Sequence, residues 1–164
     1  MPPESDQGLL APVWAGGLAE AHTADAALVR TLLDTEAALS RALVAAGLAP
    51  ARSAEVTTRV AADINPDPRE LALAARSGGN PVIPLVRELR TAVSTVDEDA
   101  ASWVHRGATS QDILDTALMT ASARVLDDAV LPALATAADA AAGLAVAHRS
   151  TVLAGRTLTQ HAVP

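Results

Sequence analysis

Between Trp103 and Ala117 the chain reads WVHRGATSQDILDTA. His105 and Arg106 stand before a glycine, and Thr109, Ser110 and Asp112 open the amphipathic run that follows. An imidazole titrates near neutrality and can give or take a proton when a substrate lies against it. A guanidinium offers a planar fork to a carboxylate. The free N–H groups at a helix start attract an anion, and the helix dipole adds to that pull. Gly107 lets the backbone turn sharply between the two sets of groups. Thr109 and Asp112 have the spacing of a capping box, a hydroxyl at the cap and an acid three residues on. Capping accounts for that pair and leaves His105, Arg106 and Ser110 unexplained. Together these groups read as a cradle for a carboxylate, with His105 the candidate for substrate contact or proton transfer. Asp112 would oppose an anion if it faced inward, so it is expected to hold a neighbouring N–H or to orient a hydroxyl. Taken alone, a histidine near a helix end is usually a solvated or capping group, and it becomes a proton donor only where a substrate sits against it.

A second polar cluster closes the chain. In STVLAGRTLTQHAVP the groups Arg156, Thr157, Gln160 and His161 come without a helical period. His161 is the more interesting of the remaining histidines, since His22 and His148 read as surface helix residues. Nowhere do His, Asp and Glu gather at a metal-ligand spacing, and there is no cysteine. No metal, thiolate site or disulfide is therefore expected.

Helices must position these groups. Apolar residues make up 50% of the chain, yet Phe and Tyr are absent and Ala, Leu and Val dominate. Strand-favouring aromatic and β-branched runs are scarce, so composition predicts an all-α fold. Residues 1–22 read as an extended arm with one short helical turn. Leu28, Leu32, Leu39 and Leu43 have helical spacing. Thr23 is the expected cap of that helix, and Gly47 with Pro50 its stop. A second helix is expected over 51–62 and a short one over 68–75. DINPDP and RSGGNP read as turns. A helix over 82–95 begins behind Pro81, where a proline fits the first turn. After a short piece near residue 98, one long helix is predicted from about Ser110 to His148. Leu114, Leu118, Ala121 and Val125 form a stripe along it, and Pro132 should kink it.

The formal net charge is −7, against a nucleic-acid footprint. All 12 basic side chains are arginine, which suits carboxylate binding and also follows from a GC-rich coding bias. The opening MPPESDQGLL lacks a basic and apolar leader. The alanine-rich run 133–147 is expected to be too short to span a bilayer. A cytoplasmic protein that touches neither membrane nor nucleic acid is the expectation.

VHRGATSQDILDTA and AGRTLTQHAVP resemble, in order, two signatures of the fumarase/aspartase superfamily. The resemblance implies an N-terminal helical domain over 1–108 and the start of a central helical bundle over 109–164. It implies a longer, homotetrameric protein, so that 164 residues would be a fragment or truncated product. A mobile Gly-Ser-Ser loop bearing the base would lie beyond this chain, and no cofactor would be needed. Adenylosuccinate lyases carry histidine after Gly-Arg-Thr, where this chain has Leu158, and Arg-His-Asp where it has SGGNPVIPLV. The muconate cycloisomerase branch is similar to this chain at both places. That branch closes 3-carboxy-cis,cis-muconate, a tricarboxylate, to a lactone. The resemblance then implies His105 as the catalytic candidate, with Asn80, Arg106, Thr109, Ser110, Thr157, Gln160 and His161 around the substrate. Arg156 is open between a substrate contact and a fold-supporting ion pair. The rival readings are an adenylosuccinate-type lyase and a non-catalytic helical interaction module.

Overall fold

A computed structural model describes residues 16–152 and the backbone of 153–154 and 161–162. The fold is all-α. Helices α1 (Glu20–Thr23), α2 (Asp25–Ala45), α3 (Ala51–Asp63), α4 (Pro68–Ala75), α5 (Val82–Ser94) and α6 (Glu98–Ala101) precede one long rod. That rod is α7 (Ser110–Val125), a π-helical turn (Leu126–Val130) and α8 (Leu131–Ala147) in continuous succession. Two two-residue strands, β1 (Leu153–Ala154) and β2 (His161–Ala162), pair antiparallel, with Leu153 opposite Ala162.

Sequence punctuation accounts for most of the boundaries. Gly47 adopts φ +71, and the Leu48 N–H reaches back to the Leu43 carbonyl, closing α2. Asp67 accepts from the N–H groups of Arg69 and Glu70 at the start of α4, and Asp97 caps α6 through Ala100. Thr23 does not cap α2 as expected. It ends the separate turn α1, where its hydroxyl donates to the Ala19 carbonyl at 3.1 Å. Ala24 is extended there (ψ 148) and starts α2 with no side-chain cap.

The core lies between α2, α3 and α5 and is sealed by α6 and the first turns of α7. Leu32, Leu33, Val56, Leu85, Leu89, Val93, Val104, Ile113 and Ala117 are buried in one cluster. On α2 the inward positions Val29, Leu32, Leu33, Glu36, Ala37 and Ser40 follow a three-and-four spacing. A carboxylate, Glu36, therefore sits on the core face of α2.

Pro132 is absorbed without ending the rod. The Leu131 N–H bonds five residues back, to Leu126. The widened turn gives room to the proline ring, which in an α-helix crowds the carbonyl four residues before it. This overturns the expectation about span length. The alanine-rich run belongs to a helix of 38 residues with an 18-residue window of mean hydropathy 1.7, long and apolar enough to cross a membrane by length and composition alone. None of the α8 side chains is buried, and Leu131, Leu134, Leu144 and Val146 are all more than half exposed.

Candidate active site

His105 lies in the loop between α6 and α7, with φ +59. A side chain with a Cβ in the left-handed region costs about 1–2 kcal/mol, so something must hold it there. Two contacts do. His105 Nδ1 lies 2.6 Å from Glu36 Oε1, a bond that joins the loop to the middle of α2. Arg90, on α5, donates through Nη2 to the Val104 carbonyl at 3.0 Å. Gly107, at φ +80, then carries the chain into α7.

Glu36 is 1% exposed, and its second carboxylate oxygen, Oε2, is buried without a hydrogen-bond partner. Burial pushes its carboxyl above the usual range, while His105 and Arg90 pull in the opposite direction. At the head of α7, Asp112 Oδ2 accepts from the Thr109 N–H at 2.8 Å and from its hydroxyl at 2.9 Å. The Thr109 hydroxyl accepts in turn from the Asp112 N–H, completing a capping box. Asp112 takes the orienting role read from the sequence, and these two Thr109 bonds, with His105 adding, hold its carboxyl below the usual range.

Beside this corner opens a cleft of about 350 Å³, lined by Ile83, Val86, Arg87, Arg90 and Thr91 of α5 with His105 and Ser110. Two guanidiniums, an imidazole and a hydroxyl thus face one space. Of the residues singled out in the sequence, His105 and Ser110 line it, and Thr109 adjoins it with its hydroxyl engaged by Asp112. Arg106 does not line it; its guanidinium lies 4.4 Å over the Trp103 ring. Neither does Asn80, whose side-chain oxygen accepts from the N–H of Val82, the first residue of α5, at 2.9 Å. Thr157 and Gln160 lie outside the described residues, as does Arg156, and for His161 only the backbone pairing is described. His22 lies 3.2 Å from Asp128, and His148 is exposed beside Thr151. Among the described residues no three His, Asp or Glu side chains are placed to hold a metal.

Glu36, Arg87 and Arg90 were missed from the sequence. Glu36 left one signal, an acid three and four residues beyond Leu33 and Leu32 on an apolar face. Arg87 and Arg90 are three apart and so share a face of α5, but nothing local points that face at His105. A second cavity of about 400 Å³, between His22, Leu28, Leu118, Ala121, Val125 and Leu126, is mostly apolar and offers little to a charged ligand.

Residues 15–164 match a family described as lyase. The chain belongs to the lyase family of the fumarase/aspartase superfamily. This lyase-family chain is 45% identical over 159 residues to nitrosuccinate lyase of Streptomyces davaonensis, covering 97% of this chain and 33% of that protein. It is 40% identical over 156 residues to 3-carboxy-cis,cis-muconate cycloisomerase of Bradyrhizobium diazoefficiens, covering 95% and 34%. The solved 3-carboxy-cis,cis-muconate lactonizing enzyme of Pseudomonas putida superposes with a TM-score of 0.79 at 36% identity, over 93% of this chain and 33% of that one. The lyase-family chain spans about a third of the length of the curated relatives it matches.

Proposed function

We propose that the cleft at the start of α7 receives a carboxylate of a small polycarboxylic acid. The chain would then supply the front portion of an active site that adds or eliminates a group β to that carboxylate. The observation that carries this reading is the convergence of Arg87, Arg90, His105 and Ser110 on one cleft. In a chain of net charge −7, two guanidiniums facing one space form a local reversal of field that favours an anion. Fixed positive groups there stabilise the charge that builds on the carboxylate as the neighbouring carbon loses or gains its proton.

Within that class the favoured reaction is closure of 3-carboxy-cis,cis-muconate. A substrate carboxylate oxygen adds to the diene, the adjacent carbon takes up a proton, and 4-carboxymuconolactone results. The Gly79-Asn80-Pro81 loop and Leu158 support this branch over an adenylosuccinate-type lyase. A second reading has its own support in the 45% relative. Nitrosuccinate would lose a proton from carbon while the C–N bond breaks and nitrite leaves with the electron pair. A planar nitro group fits the same guanidinium geometry as a carboxylate. Neither reaction calls for a cofactor. The reading extends to assembly: the uncovered sides of α7 and α8 would pack against further copies in a homotetramer, with Thr157, Gln160 and His161 contributing another wall of the pocket.

The protein expressed from its own gene is assayed on 3-carboxymuconate, nitrosuccinate and adenylosuccinate. Turnover of 3-carboxymuconate, reduced about 100-fold or more by Arg87→Ala, is the expected result. Turnover of nitrosuccinate alone selects the second reading, and turnover of adenylosuccinate alone rejects both.

A further inference from the structure

The buried Glu36 has no role in that account, and its placement defines the chemistry His105 can offer. This inference rests on the cleft being the substrate site. An ionised carboxylate can only accept hydrogen bonds. With Glu36 Oε1 at 2.6 Å from Nδ1, the ring proton belongs on Nδ1, and Nε2 is left bare as the one ring nitrogen free to meet a ligand. We propose that Glu36 is a positioning residue that fixes the tautomer of His105, so that the imidazole enters the cleft as a proton acceptor at Nε2.

Three observations converge on this. Glu36 is buried on the core face of α2 yet spends its only hydrogen bond on His105. His105 occupies a backbone region that side chains avoid, so the loop is bent to bring the ring to that carboxylate. The other charged groups around His105 leave the acceptor role open to it alone. Arg87 and Arg90 on α5 line the same cleft and can only donate, while Asp112 on α7 is turned to the Thr109 cap. Carboxylate binding then falls to the two arginines and the Ser110 hydroxyl. His105 is left to take a proton from a hydroxyl, an N–H or an acidic C–H.

The test is the ring itself. The chain is prepared with 15N-labelled histidine, and long-range 1H–15N spectra are recorded at pH 9 for wild type and for Glu36→Met, which removes the acceptor at similar size. The expected result is a proton on His105 Nδ1 and a bare Nε2 in the wild type, and a ring protonated on both nitrogens at that pH overturns the acceptor role. In the variant the ring should relax to the Nε2–H form that an unconstrained histidine prefers. A bare Nδ1 in the wild type, with the shared proton on Glu36 instead, overturns the proposal, as does the same tautomer in both proteins. If Glu36→Met fails to fold, the wild-type spectrum alone decides. The spectra do not depend on which acid is turned over. An inactive enzyme with an Nδ1 proton would refute the proposed reaction and leave Glu36 its role, and a bare Nδ1 in an active enzyme would do the reverse.

Discussion

A hydroxyl, a carboxylate and two backbone N–H groups at Thr109 and Asp112 close the head of α7 on themselves, and that closure governs how the site tolerates change. Thr109→Ala should cost about 1 kcal/mol, the usual loss of an N-cap hydroxyl, read from urea unfolding. The pH dependence has two signs. Asp97 and Asp112 have carboxyls held below the usual range by caps and, for Asp97, by Arg52. Their stabilisation is present above the ordinary carboxylate pKa and is lost as pH falls through the lowered folded value. Glu36 is raised by burial, so its contribution runs the other way. It is complete below the ordinary glutamate pKa and declines as pH climbs through the raised folded value. Urea midpoints measured from pH 3 to pH 8 should therefore rise first and then flatten or fall, and Glu36→Gln should remove the later decline. The polar groups of the α7 head were legible because they are neighbours in sequence. The Glu36–His105 contact was not, because its partners are 69 residues apart and no local pattern encodes a pairing made by packing.

At the level of helices, prolines, glycines and acidic caps wrote most of the boundaries into the sequence, since each restricts the backbone whatever surrounds it. The break between α1 and α2 was not written that way. Ala24 leaves the helical region without a proline or glycine, so only packing of the two helices sets the joint. Pro132 was legible as a disturbance, but its remedy, the π-helical turn, was not. Pro132→Ala should let residues 126–131 revert to α-helical bonding and stabilise the rod, by at most about 3 kcal/mol. Slower amide exchange at Leu131 and a higher melting temperature are the expected readings. Unchanged exchange would mean that the wide turn is set by its neighbours instead.

Taken whole, the chain has a well-filled core at one end and an unclothed rod at the other. A helix apolar on every side is stable in water when other helices cover it, and among the described residues nothing covers α8. Its alanines gave no stripe from which a packing direction could be read, so the sequence showed the helix and not its neighbours. If the rod joins copies of the chain as proposed, sedimentation should show assembly at micromolar concentration. Leu134→Glu with Leu144→Glu, both on exposed positions, should disperse it. A wild-type chain that stays monomeric would contradict the assembly.

Trp103 stands two residues from His105, and the Arg106 guanidinium rests on its indole at 4.4 Å. Indole emission responds to a cation held against the ring, so any shift of the loop that draws Arg106 away should change brightness and colour. A ligand that moves the His105 loop would thus be read optically at Trp103. With Trp14 replaced by phenylalanine to silence the other emitter, titration with tricarballylate should give a saturable change in fluorescence. That change should vanish in Arg106→Gln, even if the acid still binds.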